Sequence, residues 1–473
     1  MLTGPPIGLG HPVQFVTIIV FIKPSLLPTH PNFFFSILFC LLLPTNLIYH
    51  TMATPGFTPL TLALPSLTPS LAVDILPHGV TVHRIYVQVD GKTHDVLLGP
   101  EKAEDFTSQF HKYHNTIIGR YTNRVPVGEH NVERNGLKSQ FIAQGNQADP
   151  KISLHGGPKG FDDVDWEVLH PSQAELFNDE EKVTLGTLPA SVVFKHISPD
   201  GDQGFPGTLH LEVLVGLLNP TQTEIDNAKE EYPLGSILFV YRAKVLEEGK
   251  VTPVNLTQHW GFNLEASLQG DESTLGVKNH KLTIKAGNTV ELDSSALSSG
   301  RLNPVQGTHH EHTSKLIGDN FPQNGYDDFY VFDRPGPAPV PTHIPLNTFA
   351  KTNALEDIVL PRQKPESLVD LSSDRSGIKL SFSSNQSGVM FYSGNFISAD
   401  SARKKIHGGS GELGKGDGYK PGAAAFLEFH EPLAAWLNPE TSLSGNDTLL
   451  ASGELYNNFI KIDVTYKNQN AAH

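Results

Sequence analysis

Residues 85–98 read IYVQVDGKTHDVLL and carry the pattern that decides the fold class. From Ile85 to Val89 every second residue is apolar, the dipeptide Asp90-Gly91 follows, and a second apolar run begins at Val96. Apolar–polar alternation with a period of two, interrupted by an Asp-Gly pair, is typical of a β-hairpin. The stretch therefore predicts two antiparallel strands joined by a tight turn.

The same kind of pattern recurs along the chain, at residues 207–217, 237–245, 281–292 and 378–382. Helical periodicity is scarce: residues 221–231 predict either a helix or a solvated loop. The 473 residues include 42 Gly and 35 Pro, which favours many turns and few long helices. We therefore expect an all-β fold, a large single-domain antiparallel β-sandwich.

Charge and cysteine content exclude several classes of function. The formal net charge is -15 and the sequence pI is about 5.8. A negative field repels phosphate backbones, so we expect no nucleic-acid partner. Cys40 is the single cysteine, so the chain from Thr51 onward has no thiol for a disulfide, a zinc–thiolate site or a nucleophile.

The first 51 residues differ in composition from the rest. Two apolar runs, 13–22 and 33–43, are each shorter than the roughly 20 residues that a membrane-spanning helix needs. Met52 then opens an ordinary protein start, so we favour a mis-assigned upstream start, a domain over residues 52–473 and a cytoplasmic location. The alternative is that residues 1–51 are a targeting or anchoring segment, which would make the protein secreted or membrane-bound.

Five segments place chemically useful polar residues between apolar ones: 119–125, 154–157, 255–264, 325–328 and 425–429. Taken singly, each has a structural explanation, because a histidine in a β protein is more often a hydrogen-bonded structural group than a catalyst. Glu428, inside the run AFLEF, is less usual. A carboxylate at such a position must be paired, hydrogen-bonded or functional.

Taken together, the segments resemble the galactose mutarotase (aldose 1-epimerase) family, and they follow the family's order between Gly79 and Leu433. The similar motifs are GRYTNRV at 119–125 (Gly-Arg-x-x-Asn-Arg-Ile), LHGG at 154–157 (Leu-His-Gly-Gly), FPGTL at 205–209 (Tyr-Pro-Gly), NLTQHWGFNL at 255–264 (Asn-Leu-Thr-Asn-His-x-Tyr-Phe-Asn-Leu) and GVMFYSGNF at 388–396 (Gly-Val-Gln-Phe-Tyr-Thr-Gly-Asn-Phe).

The resemblance implies a site on a concave face of a β-sandwich that needs no cofactor and no metal. It implies that Glu428 is the general base, His259 the general acid and His155 a second histidine that polarises and orients the sugar. The residues it implies for holding the sugar ring and its hydroxyls are Asn123, Arg124, Asp327 and Gln386.

Anomerisation explains why such groups suffice. A base takes the O1 proton while an acid protonates the ring oxygen, the C1–O5 bond opens, and closure on the other face of the aldehyde gives the other anomer. Each positioned acid or base contributes about 10²- to 10⁴-fold. We therefore expect an isomerase that interconverts the α and β anomers of free hexoses such as galactose and glucose.

The chain departs from the family pattern at several positions. Phe429 and His430 stand where the family has Thr-Gln after the glutamate, which puts the surroundings of Glu428 in question. The cluster HHEH at 309–312 predicts either a metal site or, as we favour, a solvated loop. We expect Trp260 in the core rather than against the sugar, whereas Arg120 is as well explained by a structural as by a functional role.

Two other functions stay open from the sequence. A hexose-phosphate mutarotase would need further cations beside Arg124, and a non-catalytic sugar-binding protein would be expected to lack Glu428 or His259. The preferred aldose and the oligomeric state are not determined by the sequence.

Overall fold

The computed structural model describes residues 56–333, 340–361 and 365–468, so the two N-terminal apolar runs and Met52 lie outside the described residues. Its strands, in chain order, are β1 Leu60–Ala63, β2 Leu71–Leu76, β3 Thr81–Val89, β4 Lys92–Asp95, β5 Ile117–Ile118, β6 Arg124–Pro126, β7 Gly128–Arg134, β8 Leu137–Ala143, β9 Ile152–Leu154, β10 Glu167–Leu169, β11 Ala190–Ser198, β12 Leu209–Leu218, β13 Glu231–Val245, β14 Val251–Pro253, β15 Thr257–Gln258, β16 Gly261–Phe262, β17 Lys281–Ile284, β18 Ala286–Leu292, β19 Ser298–Pro304, β20 Thr313–Leu316, β21 Asp327–Phe332, β22 His343–Pro345, β23 Val369–Ser372, β24 Ile378–Ser384, β25 Gly388–Tyr392, β26 Ala425–His430, β27 Leu449–Ala451 and β28 Glu454–Lys467. The α-helices are short: α1 Asp179–Leu185, α2 Gln222–Asp226, α3 Leu346–Phe349 and α4 Ala354–Val359.

The expected all-β antiparallel architecture is confirmed. A ten-stranded sheet has the order β10-β11-β12-β13-β28-β24-β23-β17-β20, with β22 also paired to β28. A six-stranded sheet has the order β16-β26-β25-β21-β18-β19, and a four-stranded sheet runs from β1 to β4. Their strand pairs are antiparallel throughout. The predicted hairpin at 85–98 is the β3–β4 pair, with Val89 opposite Lys92.

The main core lies between the ten-stranded sheet and the two smaller sheets. Val213 and Phe239 from the large sheet pack with Ile85 of β3 and Phe429 of β26 in one apolar cluster. Every residue of β12 is buried, because the other face of the large sheet is covered as well. On that face α1 and α4 pack against β12 and β13 through a second apolar cluster.

A buried ion pair ties the helical layer to the large sheet. Arg242 of β13 donates to both carboxylate oxygens of Glu181 in α1, at 2.9 and 2.7 Å, and both side chains are 0% exposed. The guanidinium also lies 4.6 Å from the centroid of the Phe177 ring. In the described parts of the chain, no helix has the length and apolar character needed to span a bilayer.

The alternation of β26 separates core from site. Leu427 and Phe429 point into the main core. Phe426, Glu428 and His430 point to the opposite face of the six-stranded sheet, since successive strand residues face opposite ways. Glu428 is thus held at the middle of a buried strand yet turned away from the main core.

Candidate active site

Two connected segments bring Asn123 and His155 together. Strand β6 pairs with β9 so that Arg124 lies opposite Leu154, and the residues just before and just after these strands become neighbours. The backbone N–H of Asn123 donates to Nδ1 of His155 at 3.2 Å, and the N–H of His155 donates to the Asn123 carbonyl at 3.1 Å. The backbone therefore fixes the orientation of the His155 ring.

Gly156 is required by the close approach of these two segments. Its φ is +90°, and a Cβ at this position would lie 2.1 Å from the carbonyl oxygen of Gly119. A side chain would therefore push the segment that carries His155 away from the segment that carries Asn123. This contact explains the glycine that follows the histidine in the LHGG motif.

His259 and Glu428 meet across neighbouring strands. The N–H and C=O groups of His259 bond to Thr116 and Asn115, and β16 then pairs with β26, Gly261 opposite Phe426. Nε2 of His259 lies 3.3 Å from Oε1 of Glu428, and the two side chains are 9% and 3% exposed. The imidazole of His155 lies edge-on to that of His259, with a centroid distance of 5.2 Å.

Burial sets the protonation of this pair. It raises the pKa of Glu428 well above its usual value; the Asp327 charge adds to the shift and the Arg124 charge opposes it. Burial lowers the pKa of His259 to about 3, with repulsion from His114 acting in the same direction. Both shifts favour a neutral carboxylic acid beside a neutral imidazole. The pair thus holds one dissociable proton that either partner can carry.

The three groups also have the composition of a metal site, because ligand atoms of His155, His259 and Glu428 lie within 4.8 Å of one another. The hydrogen bond from Asn123 argues against that use. A neutral His155 that accepts at Nδ1 carries its proton on Nε2, the nitrogen that a metal would need. A metal-ligating histidine normally donates from its second nitrogen instead. His155 is therefore set up as a hydrogen-bond donor.

Arg124 and Asp327 form the polar rim of the site. Nη2 of Arg124 lies 3.4 Å from Oδ2 of Asp327, and these side chains are 20% and 34% exposed. Oδ1 of Asn123 accepts from the Arg124 backbone N–H at 2.9 Å. Burial raises the pKa of Asp327 above its usual value, and the Arg124 charge opposes part of that shift. Six of the seven residues named from the sequence therefore gather around one location.

Gln386, the seventh, is not brought to this location. It is fully buried between β24 and β25, its side-chain amide donates to the Leu256 carbonyl at 3.0 Å, and its side-chain oxygen accepts from Ser384. The neighbour of Glu428 on the adjacent strand is Met390. In the motif GVMFYSGNF, Met390 occupies the position of the family's glutamine. Gln386 therefore serves the backbone of the core, and we do not carry it forward as a sugar ligand.

His430 is a second departure from the family pattern, besides Met390, that lies on the site face. Its Nδ1 lies 2.7 Å from the Glu431 carbonyl, which can only accept, so Nδ1 carries the proton. Nε2 is then a bare acceptor, buried and without a hydrogen-bond partner among the described residues. Burial lowers the pKa of His430 to about 4, which keeps the ring neutral.

Other sequence interpretations resolve as structural. Arg120 is buried and donates to the carbonyls of Ser198, Pro199 and Gly207, at 2.8–2.9 Å. Trp260 is 0% exposed and donates to the Leu427 carbonyl at 2.8 Å, so it belongs to the core, as expected.

Two histidines of the loop at 309–312 are packed against the sheet rather than solvated. His310 and His312 both contact the Tyr330 hydroxyl, at 2.9 and 3.2 Å, and His312 is 1% exposed. The expectation of a solvated loop was therefore wrong for these two histidines. The candidate metal-ligating group in the described chain is the trio at the site, not this loop.

Three aromatic residues of the site were missed by sequence reasoning. Tyr113 packs against His155 at 4.8 Å between centroids, and Phe426 contacts both His259, at 5.1 Å, and His114, at 5.2 Å. For Phe426 the signal was present, because it stands two residues before Glu428 on the same strand and must share its face. Tyr113 and His114 precede the GRYTNRV motif and had no signal of their own.

Comparison with known proteins points to one family. The family model for aldose 1-epimerase matches residues 66–461. Human galactose mutarotase is 28% identical over 331 residues, which cover 69% of this chain and 75% of the human protein. The aldose 1-epimerase of Escherichia coli K12 is 29% identical over 275 residues, which cover 56% of this chain and 66% of that enzyme.

Solved structures agree on the fold. An aldose epimerase homologue from C. elegans superposes with a TM-score of 0.60 at 20% identity, covering 87% of this chain and all of that one. Galactose 1-epimerase from Lactobacillus acidophilus gives 0.56 at 17% identity, with the same coverage. The match of the family model to most of the chain, on this fold, shows that the chain belongs to the aldose 1-epimerase family.

Proposed function

We propose that this protein is an active aldose 1-epimerase acting on free hexoses, with Glu428 as base, His259 as acid and His155 as a hydrogen-bond donor to the sugar. The observation that carries the proposal is the buried Glu428–His259 pair, in which Oε1 and Nε2 lie 3.3 Å apart. Such a pair can supply both proton transfers that ring opening requires, and the opposite shifts of its two pKa values support an acid–base role.

The proton balance of the reaction fits a pair that holds one proton. Ring opening starts once the shared proton has moved from Glu428 to His259, which leaves Glu428 ionised and His259 protonated. Glu428 takes the O1 proton, the O1–H electrons form the C1=O1 bond, and the C1–O5 electrons remain on O5, which takes the proton of His259. The aldehyde rotates about C1–C2. On closure His259 takes the O5 proton and Glu428 returns one to O1, which restores the starting state.

The surrounding groups suit a neutral sugar. His155 offers its Nε2–H to a sugar oxygen, while Asp327 and Arg124 offer acceptors and donors to hydroxyls. Phe426 and Tyr392, with ring centroids 5.4 Å apart, offer an apolar surface for the C–H face of the ring. Arg124 is already paired with Asp327, which leaves its guanidinium less available to a phosphate. A free hexose therefore fits better than a hexose phosphate.

The test is polarimetry on freshly dissolved α-D-galactose and α-D-glucose with the full chain. We expect the rotation to reach equilibrium faster in proportion to enzyme concentration. Mutarotation of the corresponding hexose 6-phosphates should be accelerated less. A clear preference for the phosphates would favour the hexose-phosphate alternative, and no acceleration of any of these sugars would favour a binding protein.

A further inference from the structure

A second histidine pair, His111 and His114, lies beside the site and takes no part in the mechanism above. The two Nδ1 atoms are 3.4 Å apart. His111 is buried, and His114 is partly exposed. The backbone N–H of Ala402 donates to Nε2 of His111 at 3.2 Å.

These contacts fix the tautomers of both rings. A neutral imidazole has a single N–H. Because Nε2 of His111 accepts from Ala402, the proton of His111 is on Nδ1 and is donated to Nδ1 of His114. His114 must then carry its own proton on Nε2. Burial keeps the pKa of His111 well below 6.5 and lowers that of His114 to about 4, so both rings are neutral at pH 7.

His114 belongs to the wall of the site. Its ring centroid lies 5.2 Å from that of Phe426, which in turn lies 5.1 Å from that of His259. The adjacent residue, Tyr113, packs against His155. The Nε2–H of His114 points away from His111, since the two ring nitrogens face in different directions. It is thus a neutral, oriented donor on a partly exposed side chain beside the acid.

We propose that His114 is a sugar-binding residue whose Nε2–H donates to a hydroxyl at C2, C3, C4 or C6 of the hexose, and that His111 is a positioning residue that fixes its tautomer. A neutral donor suits a hydroxyl oxygen, which carries no charge. The proposal rests on the proposed function, because the ligand is the hexose that the acid–base pair converts.

Equilibrium binding tests the role of His114. Galactose and its 2-, 3-, 4- and 6-deoxy analogues are titrated into the wild type, His114→Phe and His114→Gln, with His130→Phe as a control. His130 is also partly exposed and bonds a backbone carbonyl, that of Pro126. We expect His114→Phe to bind galactose about 3- to 10-fold more weakly, the loss of one neutral hydrogen bond. His114→Gln, which keeps an N–H donor, should stay within about 2-fold of the wild type.

The deoxy analogues separate a direct contact from a structural effect. For the analogue that lacks the bonded hydroxyl, His114→Phe and the wild type should bind equally well. Unchanged galactose binding by His114→Phe, or an equal loss for all four analogues, would overturn the proposal. A wild type that binds galactose but does not speed mutarotation would refute the proposed function, while the role of His114 in sugar binding could still be judged from the analogue data.

The role of His111 has a spectroscopic readout. In ¹⁵N-histidine-labelled protein at pH 7, the His114 signal should be that of a ring protonated on Nε2 alone, and it should disappear in His114→Phe. In His111→Phe, Nδ1 of His114 no longer accepts a hydrogen bond from His111. A population of His114 protonated on Nδ1 should therefore appear. An unchanged tautomer in His111→Phe would refute the assigned role of His111.

Discussion

Gly156→Ala should disable the site by moving His155. The added Cβ would start 2.1 Å from the Gly119 carbonyl oxygen, and real Cβ atoms essentially never come within 3.0 Å of another atom, so the two segments must separate by about 0.9 Å. A displacement of about 1 Å costs about 10²-fold in rate, equivalent to about 2.7 kcal/mol in the barrier. The left-handed φ of +90° costs a further ~1–2 kcal/mol of folding stability.

Gly453→Ala is the matched control for this substitution. Gly453 has a φ of +91°, and a Cβ there would meet nothing within 4 Å. The two variants share the cost of the left-handed backbone, so Gly453→Ala should lose that stability alone in urea unfolding and keep its mutarotation activity. Gly156→Ala should lose more stability, because of the close contact, and should also lose activity, measured by polarimetry on folded protein. Activity of Gly156→Ala within about 3-fold of that of Gly453→Ala would refute the argument that close contact positions His155.

Four further substitutions test the electrostatics and the placement of residues. Burial raises the folded-state pKa of Glu428, so the wild type loses stability relative to Glu428→Gln as pH rises above the usual value of 4.5. The denaturation midpoints of the wild type and Glu428→Gln should converge below that pH. If Glu428→Gln were less stable than the wild type at pH 7, the raised pKa of Glu428 would be contradicted. Glu181→Ala leaves the Arg242 guanidinium buried without its carboxylate and should cost about 3–5 kcal/mol of unfolding free energy; a loss under about 1 kcal/mol would be inconsistent with this pairing. Asp327→Ala should raise the KM for galactose about 10-fold, the cost of one hydrogen bond, whereas Gln386→Leu should lower the melting temperature without changing KM, and a KM effect in that variant would contradict its placement in the core.

The fold followed from local pattern. The alternation before Asp90-Gly91 identifies β3, and the two-residue connection fixes its pairing with β4, because strand period and turn chemistry are both short-range properties. The return strand begins at Lys92 rather than at the apolar run from Val96. The segment 221–231 forms only the short helix α2 before β13 begins.

The buried layer on the far face of the large sheet was not predictable in this way. Residues of α1 such as Glu181 look solvated, and the partner Arg242 lies 61 residues away in the chain. Long-range pairing of two charges leaves no local signature in a sequence. The same applies to His310 and His312, whose partner Tyr330 lies on a strand that the sequence did not connect with them.

The site was predicted largely through motif resemblance. That prediction places Glu428, His259 and His155 together, and the structure also gives the reason: strand pairing and the close contact at Gly156 converge on one face. The assignment of Gln386 as a sugar ligand does not fit the structure. Its residue type matches the family's glutamine, but it precedes β25 and does not stand beside Glu428. The tautomer of His114 is set through His111, which accepts from the backbone N–H of Ala402, far away in the chain; no local motif could reveal this contact.

The measurement that tests the central claim most directly is the rate of α-D-galactose mutarotation by the wild type, Glu428→Gln and Glu265→Gln. Glu265 is a matched control, a buried carboxylate whose pKa is also raised by burial and which bonds Ser373 instead of a catalytic group. We predict full activity for Glu265→Gln and a loss of about 10²- to 10⁴-fold for Glu428→Gln. Acceleration by Glu428→Gln equal to that of the wild type would contradict the assignment of the base.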